Sequence, residues 1–232
     1  MRFRPSDALL FACLGASFAA MIFAFRGELP LAGWLFLGAY AADALHALVA
    51  PAPAAHRFGA ELRDVIGLVA FAAAPALLVF VSLRQAGVAL WLAAAVGATP
   101  LVTGSVRMAL HAVRPRGEGL WAVGLPRAQS ALFAVALCRS SCFESSSLRG
   151  LLLALLPLVA VLNVVPWRFA RAFVAPVDAR KGLVWAAALA STAAAFAAGL
   201  GFDVLAGWVL AAALLRARPL AHSLLPADER RA

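Results

Sequence analysis

Long apolar runs separated by short polar segments make up most of the chain. A helix that crosses a bilayer needs about 20 mostly apolar residues, and eight runs approach that length. They predict transmembrane helices at residues 8–26, 30–50, 61–83, 86–112, 124–142, 149–171, 181–200 and 202–217. A very short glycine-containing turn joins the last two runs, which predicts a C-terminal helical hairpin over about 181–217.

The apolar pattern weakens within two of these runs. In the fourth, Gly97, Pro100 and Gly104 precede Arg107, and a proline inside a helix removes one backbone hydrogen bond. The pattern therefore predicts helix most clearly up to Ala98. The fifth run turns polar early, in the segment "ALFAVALCRSSCFESSS".

Composition places the chain among integral membrane proteins. Of its 232 residues 64% are hydrophobic and 13% are charged, with a mean hydropathy of +0.91. Soluble domains carry about 25% charged residues. Because no long polar segment is left for a soluble module, we expect one all-α transmembrane domain over residues 1–232.

Basic residues divide unequally between the two sides that eight spans would create. One side carries sixteen, namely Arg2, Arg4, Arg57, Arg63, Arg107, Arg114, Arg116, Arg127, Arg168, Arg171, Arg180, Lys181, Arg216, Arg218, Arg230 and Arg231. The other side carries four, namely Arg26, Arg84, Arg139 and Arg149. Cytoplasmic loops are enriched in Lys and Arg, so both termini are predicted to be cytoplasmic. The net charge of +9 is explained by this topology and does not indicate nucleic-acid binding.

The start of the third run carries a recognisable pattern. The stretch "FGAELRDVIGLVAFAAAPALL" resembles the F-G-x-x-x-D-S-L-A-D-x-V-S-F-G-V-A-P-A-L-L segment of the CDP-alcohol phosphatidyltransferases, most closely the bacterial phosphatidylserine synthase branch. Three later segments resemble family landmarks in the same order, namely "SVRMALHAV", "GLPRAQSA" and "LNVVPWRF". Together with a glycine-containing first span, the resemblance covers about residues 6–172.

This resemblance implies a core of six helices with two more added, a site open to the cytoplasm, and residence in a bacterial inner membrane. Family enzymes use D-x-x-D-G-x-x-A-R-x8-G-x3-D-x3-D. Its four carboxylates hold two Mg²⁺ or Mn²⁺ ions against the diphosphate of a CDP-linked lipid. The last aspartate activates the incoming hydroxyl as a general base.

Most of that motif is replaced in this chain. The four aspartate positions fall on Tyr40, Asp43, Arg63 and Gly67, so three of the four carboxylates are missing. The remnant of the motif consists of Asp43, Ala47, Gly59, Arg63 and Gly67. We expect Arg63 to pair with Asp43 in place of the metal ions, and no metal cofactor. An alternative is a shifted Mg²⁺ or Mn²⁺ site built from Asp43, His46 and Asp64.

Other polar residues suggest contacts with lipid rather than catalysis. Arg107, Arg114 and Arg116 are candidates for binding lipid phosphate groups, with Arg107 the strongest because it lies inside a span. Asn163 and Pro166 are interpreted as packing and a kink. The expected partners are membrane lipids, including anionic phospholipid or CDP-diacylglycerol, and a second copy or another membrane protein.

Three functions are compatible with these patterns. The first is a catalytically silent or repurposed relative of the phosphatidyltransferases. The second is an active transferase in phospholipid synthesis that uses CDP-diacylglycerol with a relocated metal site. The third is a non-enzymatic subunit or a transporter with the same fold.

Overall fold

The computed structural model describes residues 5–49, 57–113, 121–144, 146–170, 190–215 and 218–219. Most of them are helical. The helices are α1 (Asp7–Phe25), α2 (Leu29–Val49), α3 (Arg57–Leu68), a π-helical turn (Val69–Ala73), α4 (Ala74–Gln85), α5 (Leu90–Val113), α6 (Arg127–Cys138), α7 (Ser141–Glu144), α8 (Ser146–Val161), α9 (190–197) and α10 (Gly201–Leu215). Three short strands are β1 (Trp121–Val123), β2 (Trp167–Ala170) and β3 (Arg218–Pro219).

Four helical segments among the described residues are long and apolar enough to cross a membrane. They are Asp7–Phe25, Leu29–Val49, Glu61–Gln85 and Leu90–His111. Three further apolar helices are shorter, namely Arg127–Cys138, Arg149–Val161 and Gly201–Ala211. The structure therefore confirms a helical protein suited to a membrane. Of the predicted C-terminal hairpin, 190–197 and α10 are described, and 181–189 lies outside the described residues.

Helices α1 and α2 form an antiparallel hairpin packed through small side chains. The turn between them contains Gly27, whose φ of +86° lies in the left-handed region. Ala20 and Ala24 of α1 and Ala32 of α2 are all fully buried. Because alanine lets helix backbones approach closely, this contact is held mainly by packing.

A π-helical turn joins α3 to α4 without breaking the helical path. Pro75, at the start of α4, lacks an amide hydrogen, and its ring would crowd the carbonyl of Phe71 in a regular helix. The wider turn over Val69–Ala73 immediately precedes it, and the Ala74 amide donates to the Val69 carbonyl oxygen. The widened turn is buried, with Ala70 and Ala72 fully covered.

Helix α5 continues through Pro100 to Val113, beyond the Ala98 limit that the pattern favours. Pro100 cannot donate to the carbonyl four residues earlier, which belongs to Val96. The Thr99 hydroxyl donates to that same Val96 oxygen at 2.7 Å. A side-chain donor thus replaces the missing backbone bond, as serine and threonine do in membrane helices.

The prediction of a helix over 149–171 is wrong at its C-terminal end. Helix α8 ends at Val161, and residues 167–170 form β2, which pairs antiparallel with β1 on one side and β3 on the other. Pro166 fixes its own φ and disfavours helical geometry at Val165. The backbone of Trp167–Ala170 therefore finds its partners in neighbouring strands.

Hydrogen bonds between residues near the helix ends distinguish the two ends of the bundle. At one end, which we call the hairpin end, Gln85 donates to the Gly27 carbonyl and Arg149 donates to the Ala86 carbonyl. The Ser141 amide and hydroxyl donate to Asp203 at the same end. The other end, which we call the sheet end, carries β1–β3, the end of α2 and the starts of α3 and α6.

Candidate functional site

The predicted pairing of Asp43 with Arg63 is confirmed. Arg63 Nε donates to Asp43 Oδ1 at 3.1 Å, and Arg63 Nη2 donates to Asp43 Oδ2 at 3.2 Å. The bond is therefore bidentate, the geometry in which arginine binds a carboxylate best. The Asp43 side chain is 15% exposed and that of Arg63 41% exposed. Asp43 comes from the last turns of α2 and Arg63 from the second turn of α3.

Buried polar residues surround this pair. His46 and Asp7 are 5% and 1% exposed, and His46 lies within electrostatic range of Asp7, Asp43 and Arg63. Asp7 begins α1, which runs antiparallel to α2 and so reaches the same end of the bundle. His46 Nδ1 is buried and has no hydrogen-bond partner among the described residues.

The other positions of the remnant motif have separate structural roles. The Tyr40 ring packs edge-on against Phe71 of the π turn, with ring centroids 6.2 Å apart. Gly59 is buried near the start of α3, whereas Ala47 is exposed on α2. Tyr40, which the resemblance aligns with the first motif aspartate, thus contributes an aromatic ring to the core between α2 and the π turn.

A second ion pair lies one residue further along α3. Arg127, the first residue of α6, places Nη2 3.5 Å from Asp64 Oδ1. The same guanidinium lies against Gly67, where an added Cβ would be 3.1 Å from Arg127 Nη2. A side chain at Gly67, the position that the resemblance aligns with the last motif aspartate, would therefore meet a cation.

These residues do not fit a pair of divalent cations. Mg²⁺ and Mn²⁺ require several oxygen ligands of negative charge. Two carboxylates, Asp43 and Asp64, here face two guanidinium groups, Arg63 and Arg127, so the four charges sum to zero. In the described part of the chain no three His, Cys, Asp or Glu residues are grouped as a metal site. The three residues of the alternative metal site, Asp43, His46 and Asp64, therefore do not form one cluster, because Asp64 contacts Arg127 instead.

A separate crevice opens at the sheet end between α5 and the segment after α8. Arg107 is 6% exposed, and its Nη1 donates to the backbone carbonyl of Asn163 at 2.8 Å. Gly124, with φ of +72°, closes over this bond. An added Cβ there would lie 2.2 Å from the Asn163 oxygen and 2.4 Å from Arg107 Nη1, so only glycine fits.

Sequence reasoning identified some of these residues and missed the role of others. Arg107 was a candidate for lipid contact, and the structure places it at the crevice. Arg114 and Arg116, the other two candidates, lie outside the described residues. The pairing of Arg127 and the place of Asn163 beside Arg107 were not foreseen, because neither position carries a signal of its partner in the sequence.

Comparison with known proteins adds no further assignment. A scan against protein-family models finds no matching family, and a search among curated proteins finds no match.

Proposed function

We propose that this chain is an integral membrane protein related to the CDP-alcohol phosphatidyltransferases that does not carry out metal-dependent phosphatidyl transfer. It retains a lipid-accommodating bundle of about eight spans, with both termini on the cytoplasmic side of a bacterial inner membrane. In place of catalysis it binds anionic phospholipid at the sheet end.

The observation that carries this proposal is the pair of guanidinium–carboxylate contacts at the former metal site. Asp43 is engaged by Arg63 through two hydrogen bonds, and Arg127 occupies the space beside Gly67. A divalent cation brought to this place would meet two positive groups, and both Asp43 and Asp64 are already engaged by them. Electrostatics therefore opposes metal binding, and the transferred phosphoryl group would lack its usual stabilisation.

Arg107 supports the lipid-binding part of the proposal. Three arginines lie at the sheet end, namely Arg63, Arg107 and Arg127. Arg63 and Arg127 are each engaged by a carboxylate, and Arg107 donates to a backbone carbonyl. Arginines near a membrane surface attract anionic headgroups by about 1 kcal/mol each. Arg107 is held in a fixed position by its bond to the Asn163 carbonyl, so its charge has a defined place on the bundle.

The enzymatic part is tested by incubating purified protein with CDP-diacylglycerol and Mn²⁺ or Mg²⁺. Serine, glycerol phosphate and inositol phosphate serve as acceptors, and released CMP is measured. We expect no metal-dependent release above that of a protein-free control. Metal-dependent turnover that disappears in Asp43→Ala would overturn the proposal and establish the active-transferase alternative.

The lipid-binding part is tested by exchange of fluorescent lipid into nanodiscs that contain the protein. We expect anionic phospholipid to be retained over phosphatidylcholine, and Arg107→Gln to reduce that preference. Arg84→Gln is the matched control, because Arg84 is an exposed arginine at the hairpin end. An equal effect of both variants would show that the preference follows net charge alone.

A further inference from the structure

The crevice beside Arg107 contains an acceptor that no described group satisfies. It is lined by Arg107, Leu110, His111, Val123, Asn163, Val164 and Val165. Asn163 is 2% exposed, its Nδ2 donates to the Thr103 hydroxyl at 3.2 Å, and its Oδ1 is buried without a hydrogen-bond partner. A buried carbonyl oxygen left unpaired is costly, so this site favours a ligand that brings a donor.

The size of the crevice limits what can reach that oxygen. Its cavity volume is about 20 Å³, and a cavity of about 10–15 Å³ is enough for one water. Only the tip of a headgroup, such as a single hydroxyl or ammonium, can therefore enter. The rest of the headgroup would remain at the mouth of the crevice.

The positive charge of Arg107 favours a hydroxyl over an ammonium as the donor that enters the crevice. Arg107 Nη1 lies 2.8 Å from the backbone oxygen of Asn163, so the guanidinium adjoins the residue that carries the unpaired acceptor. His111 lies one helical turn further along α5, on the same face as Arg107. An ammonium would be placed beside a cation in a site with little water, whereas a hydroxyl carries no charge.

The lining of the crevice favours a negative group close by. Arg107 contributes a guanidinium group to that lining, and a phosphate at the mouth would be attracted to its charge.

We infer that the sheet-end crevice selects a phospholipid whose anionic headgroup ends in a hydroxyl, which donates to Asn163 Oδ1 while the phosphate lies at the basic mouth. This inference rests on the lipid binding proposed above and specifies its headgroup. Phosphatidylglycerol has the required chemistry. Phosphatidylpropanol is the matched ligand, since it has the same charge and a three-carbon headgroup without hydroxyls.

The test compares these two lipids in nanodiscs of phosphatidylcholine that contain the purified full chain. Native mass spectrometry or lipid exchange gives the apparent Kd of each. We expect phosphatidylglycerol to bind about three- to tenfold more tightly, the ratio that one net hydrogen bond supplies. Asn163→Leu should abolish this ratio, and Thr103→Val should keep it, because that change leaves Oδ1 in place.

The outcomes separate this inference from the proposed function. Equal binding of the two anionic lipids, both tighter than phosphatidylcholine, would overturn the hydroxyl preference and leave general anionic binding intact. Binding of neither above phosphatidylcholine would contradict both. If Asn163→Leu does not fold, the ratio of the two Kd values for the wild-type protein decides alone. A ratio near one overturns the inference and indicates that a water molecule satisfies Asn163 Oδ1.

Discussion

A carboxylate deep in an apolar helix requires a partner, and here that partner is an arginine. Asp43 lies on α2, a helix apolar enough to span a bilayer. An isolated ionised carboxylate is strongly destabilising in such surroundings. The bidentate contact with Arg63 removes most of this cost. Arg63 therefore balances the charge of Asp43 within these apolar surroundings.

This pairing predicts unequal costs for the two single variants. Asp43 is 15% exposed and Arg63 is 41% exposed, so Arg63 can turn to water when its partner is removed. Arg63→Leu should cost more than Asp43→Asn, with both in the range of about 1–3 kcal/mol. The double variant should cost less than the sum of the two. The free energy of unfolding in mixed detergent micelles measures all four proteins of the cycle.

The chain offers a control for that cycle. Arg26 and Glu28 form a salt bridge of 3.1 Å at the hairpin end, with side chains 65% and 43% exposed. Exposed pairs of this kind contribute about 0–1 kcal/mol, so the corresponding cycle should show little coupling. Strictly additive costs for Asp43 and Arg63 would contradict a stabilising pair between them.

The sequence predicted the Asp43–Arg63 contact because the family motif places those two positions in one site. It could not predict Arg127 beside Asp64. That contact depends on how α6 is set against α3, which is decided by packing between helices far apart in the sequence. The same holds for Asn163, whose partners Thr103 and Arg107 lie 60 and 56 residues away.

At the scale of elements, α5 lies very close to the π turn and to α4. At Gly104 an added Cβ would lie 2.7 Å from Ala72 Cβ, and at Gly97 it would lie 2.9 Å from Phe80 Cβ. Both distances are below normal van der Waals contact. The glycines that weakened the helical pattern of this run are thus the residues that allow α5 to approach its neighbour.

This packing gives a prediction for glycine substitutions. Gly104→Ala should reduce stability by about 1–3 kcal/mol, as overpacking does in cores, because the new methyl group meets a helix that cannot move away. Gly15→Ala is the matched control, since an added Cβ at Gly15 has nothing within 4 Å. Thermal unfolding in detergent compares the two. If Gly104→Ala reduces stability no more than Gly15→Ala does, α5 is not held this close to Ala72.

Helices were predictable from the sequence wherever apolar length alone decided them. The first two predicted spans, 8–26 and 30–50, match Asp7–Phe25 and Leu29–Val49 within one residue at each end. The end of α8 was not predictable in this way. Residues 162–170 are apolar enough to continue a helix, but the chain turns before Pro166, and Trp167–Ala170 pairs with β1 as a strand.

On the scale of the whole molecule, the sequence divides the basic residues unequally between the two sides of the predicted spans. The four arginines on the sparse side lie in or beside terminal helical turns at the hairpin end, namely Arg26, Arg84, Arg139 and Arg149. The sixteen basic residues on the other side include Arg63, Arg107 and Arg127 of the sheet end. Since basic residues are enriched in cytoplasmic segments, the proposed topology places the sheet end in the cytoplasm.

That orientation can be tested with thiols in intact cells. Cys142 is exposed and follows α6 at the hairpin end, whereas Cys13 and Cys138 are buried. A membrane-impermeant maleimide should therefore label Cys142 from outside the inner membrane without permeabilisation. A cysteine in place of Glu61, which is exposed in the first turns of α3, should react only after the membrane is opened when introduced in a Cys142→Ser background. Labelling at position 61 from outside, with Cys142 protected, would reverse the orientation and place the paired arginines and the crevice on the opposite face of the membrane.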